Sequence, residues 1–73
     1  MFEAYTTNDL IRIAAAGGGF TLDAGPRLTD DLIQIAAAAS RNGARIIFYN
    51  LGARTTDDIV RIAAAGKGAV SFD

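Results

Sequence analysis

Apolar and polar positions follow nearly the same order in three stretches of the chain, at residues 7–16, 29–38 and 56–65. Each stretch reads Thr-x-Asp, two aliphatic residues, one polar residue, an isoleucine and three alanines. The aliphatic residues and the first alanine recur at intervals of three and four, which places them on one face of a helix. The pattern therefore predicts three amphipathic helices. Their starts are 22 and then 27 residues apart, which is the range of repeat architectures.

The first residues of each stretch are typical of a helix start. A threonine side chain can accept a hydrogen bond from a free backbone N–H, and aspartates in the first turn favour the helix dipole. The threonines shared by all three stretches are predicted as N-caps: Thr7, Thr29 and Thr56. Thr6 and Thr55 are the alternatives in the first and third stretches, but Leu28 stands at that place in the second.

Short segments rich in β-branched and aromatic residues follow each helix and are bounded by glycines. They predict strands at 20–23, 44–50 and 69–72, and a further candidate strand lies at 2–5. Alternation of strands and helices predicts an α/β fold with right-handed crossovers. The expected sheet is parallel in the order 1-2-3-4 with all helices on one face.

Seventy-three residues make one domain, and the pattern divides it into three tandem repeats. The approximate bounds are 1–19, 20–43 and 44–68, with a closing strand at 69–73. Net charge is −1 and no basic run occurs, which argues against a nucleic-acid partner. The apolar runs are too short for a membrane span, and no signal-peptide pattern begins the chain. Absence of cysteine is compatible with a cytoplasmic location, if the protein is natural.

Alignment of the turns at Gly25 and Gly52 predicts which strand residues share a face of the sheet. It places Ile46 and Phe48 on the face without helices, where apolar side chains usually mark contacts. A register shifted by one residue is the alternative. The closing strand adds apolar residues at an edge that no lysine or proline protects. The candidate interface therefore consists of Ile46, Phe48, Val70 and Phe72.

The residue types that carry most familiar chemistry are missing or stand in the wrong context. The chain has no histidine and no cysteine, which excludes Ser/His/Asp and Cys/His systems within one chain. The glycine-rich runs at 17–19 and 66–68 follow helices, whereas phosphate-binding loops precede them. Gly17, Gly43 and Gly66 are instead predicted helix ends. The paired aspartates at 30–31 and 57–58 stand where helix caps need acids. No catalytic, cofactor or metal site is predicted, and we do not expect an enzyme.

The strand-helix units, with Leu28-Thr29-Asp30-Asp31-Leu32 opening a helix, resemble leucine-rich repeats of the type that carries an α-helix in each unit. Those repeats also carry an asparagine at a fixed place after the strand. In this chain the comparable turns hold Gly25 and Gly52, and only Asn50 lies nearby. The resemblance implies an α/β solenoid, and such proteins commonly act as binding scaffolds.

The expected function is a non-enzymatic structural repeat module, either a fragment of a repeat array or a designed or reconstructed sequence. The alternative is a protein–protein interaction module that binds through the open sheet face. Both apolar ends of the chain and a small core predict a homo-oligomer, with a two-fold dimer as the favoured form. Association by sheet edge, by sheet face and by exchange of units all remain open routes.

Overall fold

A computed structural model describes residues 4–73, in which three helices alternate with three strands. The elements in chain order are α1 (Thr7–Ala15), β1 (Phe20–Asp23), α2 (Thr29–Asn42), β2 (Ile46–Tyr49), α3 (Thr56–Gly66) and β3 (Val70–Phe72). The strands form a parallel sheet in the order β1-β2-β3. The predicted α/β class and the sequential strand order are therefore confirmed.

The predicted fourth strand at 2–5 is wrong for the part of it that can be described. Ala4 lies in a turn and Tyr5 in a bend, while residues 1–3 lie outside the described part of the chain. Within residues 4–73 the sheet therefore has three strands. It is not curled into a solenoid, so the resemblance to leucine-rich repeats covers the alternation of elements and not the curvature.

The predicted register of β2 is wrong by one residue. Phe20 pairs with Ile46 and Leu22 pairs with Phe48, so all four residues point to the same side of the sheet. Ile46 and Phe48 are completely buried there, and Ile47 is exposed on the other side. The alternative register, shifted by one, is the one that the chain adopts.

An additional residue between β2 and its turn causes this shift. Asn50 has a φ of 64°, a left-handed conformation that few residues other than glycine and asparagine adopt readily. Alignment of Gly25 with Gly52 assumed equal spacing from strand to turn. Because β1 and β2 pair at Asp23 and Tyr49, Asn50 lies beyond the paired residues and moves every position of β2 to the other face.

The helix starts differ from the prediction as well. Thr6 caps α1 by accepting a hydrogen bond from the Asp9 N–H at 3.1 Å. Thr55 caps α3 by accepting one from Asp58 at 3.2 Å. The threonines predicted as caps are each the first helical residue instead: Thr7, Thr29 and Thr56. Leu28 is the cap residue of α2 and makes no capping hydrogen bond with its side chain.

All three glycines predicted as helix ends lie at the end of a helix, but only two of them have the left-handed conformation. Gly17 follows α1 with a φ of 93°, and Gly43 ends α2 with a φ of 74°. Gly66 is the last residue of α3, and the left-handed residue after it is Lys67. Gly66 has a packing role, since a Cβ atom there would lie 2.6 Å from Cγ2 of Val70.

The core lies between the sheet and one helix layer. The buried strand residues face a helix surface made of leucine, isoleucine and alanine, and α2 packs between α1 and α3. Five residues of α2 are completely buried, and three of them are alanines: Leu32, Ile35, Ala36, Ala38 and Ala39. Small side chains let the central helix approach its neighbours closely, and this fixes the spacing of the three helices.

Candidate interaction surfaces

The first junction, between α1 and α2, is bridged by an arginine. Arg27 lies in the turn before α2, and its Nη1 donates a hydrogen bond to Oγ1 of Thr7 at 3.3 Å. Its Nη2 donates another to the backbone oxygen of Tyr5 at 2.7 Å. The guanidinium group therefore joins the start of α2 to the start of α1.

The second junction, between α2 and α3, repeats this arrangement with Arg54. Nη1 of Arg54 donates to Oγ1 of Thr29 at 2.7 Å. Nη2 donates to the backbone oxygens of Ala24 and Arg27. In both junctions a guanidinium group two residues before a helix binds the first threonine of the preceding helix. A planar, forked donor suits this task because it satisfies a hydroxyl group and carbonyl oxygens together.

This contact explains why the threonines recur although they are not caps. Thr7 and Thr29 are acceptors for the arginine of the following unit. The sequence carried a signal for it, because Arg27 and Arg54 each stand two residues before a recurring threonine. Because threonine at a helix start usually acts as a cap, the pattern alone does not indicate that its hydroxyl group accepts a hydrogen bond from an arginine.

A surface ion pair also crosses the second junction. Nη2 of Arg61 on α3 lies 3.5 Å from Oδ1 of Asp30 on α2, and both side chains are largely exposed. The corresponding positions of the first junction hold Asn8 and Gln34. The second junction therefore carries opposite charges where the first carries neutral amides.

The side of α3 that faces away from α2 is open, and we call it the trailing face: Ile59, Val60 and Ala63. The equivalent residues of α1 are buried or half-buried, because α2 covers them: Leu10, Ile11 and Ala14. On α3 the exposed fraction of Val60 reaches 58%. Thr56, which corresponds to the acceptors Thr7 and Thr29, is exposed as well.

At the opposite end of the helix layer, no other helix among residues 4–73 covers the outer side of α1, which we call the leading face: Arg12, Ile13 and Ala16. Ile13 is half-buried, whereas the equivalent Ile35 and Ile62 are completely buried under the preceding helix. The leading face, together with Tyr5 and Asp9, lines an open depression of about 460 Å³. The depression occupies the place that a preceding helix takes on α2 and α3.

The sheet face without helices is a third surface. It is formed by side chains that alternate with the buried ones, at Thr21, Ile47 and Ser71. Ile47 lies on the central strand with 40% of its surface exposed. This is the face on which Ile46 and Phe48 were predicted.

The four residues predicted as an interface are brought together, but on the helix-covered side of the sheet and not on the open face, since Ile46 pairs with Val70 and Phe48 pairs with Phe72. Ile46 and Phe48 belong to the core, so they are not available on the open face. Val70 is half-buried, and Phe72 is 37% exposed on β3. The Phe72 ring lies against Phe48, with 6.3 Å between the ring centroids, and it therefore extends the core to the edge of the sheet.

Polar groups that could suggest chemistry are engaged in local structure. Oγ of Ser40 donates to the backbone oxygen of Ala37, and Oδ1 of Asp23 accepts from the Gly25 N–H and from Nδ2 of Asn50. Among residues 4–73, no three acidic side chains come together as a metal site would require. None of the three described helices has the length and apolar character of a membrane span.

Comparisons with protein-family models, with curated proteins and with solved structures found no significant match to this chain.

Proposed function

We propose that this chain is a non-enzymatic structural repeat module, in which strand-helix units stack through one recurring junction to form a section of an α/β array. The observation that carries the proposal is the arginine contact. Arg27 with Thr7 and Arg54 with Thr29 join successive units in the same way, although their segments differ in length. A contact that recurs at each junction is what stacking of interchangeable units requires.

The burial pattern supports this function. Each helix has one side suited to a preceding helix and one suited to a following helix, and the two ends of the layer leave one of each open. The side chains of Ser40 and Asp23 are engaged in local hydrogen bonds, to the Ala37 backbone oxygen and to Gly25 and Asn50. A module of this kind acts by holding neighbouring units at a fixed spacing and orientation.

A tandem chain of two copies tests the proposal. Residues 24–28 are repeated after Asp73 and lead directly into residue 7 of the second copy, so that the added arginine can bind Thr56 of the first. Unfolding by urea should then be a single transition, with a higher midpoint and a larger m-value than the 73-residue chain, because more surface is exposed in one step.

A matched pair of variants makes this test specific to the new junction. Val60→Lys in the first copy lies at the junction and should separate the transition into two. The same substitution in the second copy lies at the free end and should leave one transition. If the unmodified tandem chain unfolds with the midpoint and m-value of the single chain, its units do not stack across copies and the proposal fails.

The second candidate function is a protein–protein interaction module that binds through the open sheet face. It is favoured by Ile47, an exposed aliphatic side chain at the centre of that face. A photo-crosslinking residue at position 47 should capture one defined partner protein, and the same residue at the exposed position Gln34 should not. Equal capture from both positions would contradict this candidate.

A further inference from the structure

We propose that copies of this chain associate head to tail, with the trailing face of α3 in one copy packed on the leading face of α1 in the next. This inference rests on the proposed repeat function and extends it from units within one chain to units in separate chains. The occupant of both open faces is a second copy of the same chain. The contact continues the helix packing that α1, α2 and α3 already share.

The first argument is the match in shape between the two faces. Val60 and Ala63 stand at the positions that α1 and α2 pack against a following helix. Ile13 and Ala16 stand at the positions that α2 and α3 pack against a preceding one. The two open faces are therefore the two halves of a junction that the molecule already forms twice.

The second argument is charge. In the second junction, Asp30 at the second position of α2 pairs with Arg61 at the sixth position of α3. The second position of α3 is Asp57, and the sixth position of α1 is Arg12. Both are exposed, and no ion pair forms to either within the described residues. Stacking in the same geometry brings Asp57 of one copy to Arg12 of the next, and opposite charges at such a place set the choice of partner.

The charges also distinguish this arrangement from a two-fold dimer. A two-fold dimer with parallel helices would place Asp57 near Asp57 at two trailing faces, or Arg12 near Arg12 at two leading faces. A two-fold dimer of either face with antiparallel helices would move each of these residues away from its counterpart, and in neither case does Asp57 meet Arg12. Head-to-tail contacts place unlike charges together. Because each added copy presents a new open face, the contact is heterologous and produces a linear series of oligomers.

The sheet is continued by the same operation. β1 and β3 each have one edge that faces no other strand among the described residues. β2 pairs with β3 through Ile46 and Val70, as β1 pairs with β2 through Phe20 and Ile46. The same step brings Val70 of one copy beside Phe20 of the next, in parallel orientation.

Sedimentation equilibrium of two complementary variants tests the proposal. Ala16→Lys blocks the leading face and Val60→Lys blocks the trailing face, and both replace exposed side chains so that folding is retained, as circular dichroism would verify. Wild-type protein should show a mean mass that rises steadily from micromolar to millimolar concentration. Each variant alone should remain at the mass of one chain. An equimolar mixture should form a 1:1 dimer and nothing larger.

Other outcomes overturn the proposal. A wild-type chain that stays monomeric at millimolar concentration excludes it, and the tandem chain then shows whether stacking fails altogether or only between separate chains. Association of Ala16→Lys alone would indicate a dimer of two trailing faces. Loss of association in Ile47→Lys, the control on the open sheet face, would indicate face-to-face contact instead.

A charge exchange provides an independent test. Arg12→Glu and Asp57→Lys each place like charges at the contact, and each should lower the association constant by about fivefold at low salt, the usual limit for an exposed pair. In the mixture, every contact between the two variants again joins unlike charges, and association should recover. The recovery should disappear at about 1 M salt, where screening is strong. Equal association of both variants and the mixture would exclude the predicted pairing.

Discussion

Nη1 of Arg54 lies 2.7 Å from Oγ1 of Thr29, and this hydrogen bond joins the turn before α3 to the first residue of α2. The same guanidinium group also binds two backbone oxygens of the turn between β1 and α2. Ala24 is completely buried, so its carbonyl group has limited access to water when Arg54 is absent. We therefore expect the second junction to depend on this residue more than on any exposed ion pair.

A double-mutant cycle measures the Arg54–Thr29 contact. Arg54→Ala should lower the free energy of unfolding by about 2 kcal/mol or more, since removal of the charged donor leaves several acceptors without a hydrogen bond. Thr29→Val, which removes only the hydroxyl, should be coupled to it by about 0.5–1.5 kcal/mol. The matched control is Thr56→Val, at the equivalent position of α3, which should show no coupling to Arg54. Coupling of the same size in both cycles would contradict the contact.

Substitutions at the N-cap residues of α2 and α3, Leu28 and Thr55, should change the free energy of unfolding in opposite directions. Leu28 has φ and ψ of −74° and 148°, close to the −74° and 159° of Thr55, so its backbone already has the capping conformation. Leu28→Thr should raise the free energy of unfolding by about 1 kcal/mol, and Thr55→Ala should lower it by a similar amount. The Leu28 side chain is largely exposed, so its loss costs little. Chemical denaturation measures both, and a destabilised Leu28→Thr would contradict the capping geometry.

The sequence was sufficient for features that depend on periodicity. Three helices, the strands after them and their sequential order follow from spacings of three and four, from glycine boundaries and from short connections. The features that it did not determine depend on single residues. Thr6 and Thr7 are both suitable caps, and only the tertiary contact of Arg27 with Thr7 distinguishes them.

The register of β2 shows the same limit more sharply. One residue, Asn50, decides which face receives Phe48, because side chains alternate along a strand. Asparagine can adopt either a left-handed or an extended conformation, so its type does not reveal that it lies outside the sheet. The distinction comes from burial, since the observed register places both Ile46 and Phe48 in the core. The sequence does not reveal the trailing and leading faces either, because the three helices carry similar residues and only the exposure at equivalent positions distinguishes them.

Neighbouring residues of β2 should respond very differently to truncation. Phe48 is completely buried, and Phe48→Ala should cost about 3–5 kcal/mol through lost burial and a cavity. That is comparable with the whole stability expected for a domain of this size, so the variant should be largely unfolded by circular dichroism at 25 °C. Ile47→Ala, on the open face, should change stability by about 0.5 kcal/mol or less. A larger loss of stability in Ile47→Ala than in Phe48→Ala would contradict the observed register and support the one predicted from the turns.

Gly66 offers a prediction whose sign depends on a second residue. A Cβ atom at this position would lie 2.6 Å from Cγ2 and 2.9 Å from Cγ1 of Val70. Gly66 is the last residue of α3, where its φ is not left-handed, so the backbone itself accepts alanine. Gly66→Ala should therefore destabilise the wild-type chain through this overlap, by about 1–3 kcal/mol.

In a Val70→Ala background the two closest atoms, Cγ1 and Cγ2 of Val70, are absent. Gly66→Ala should then cause much less destabilisation than it does in the wild-type chain. Relief of the overlap leaves the intrinsic preference of a helix for alanine over glycine, which is worth up to about 1 kcal/mol in a helix interior and less at its last residue. The free energies of unfolding of the four chains, measured in urea, give the result directly. An equal cost of Gly66→Ala in both backgrounds would show that the close approach of α3 to Val70 is not what requires glycine at position 66.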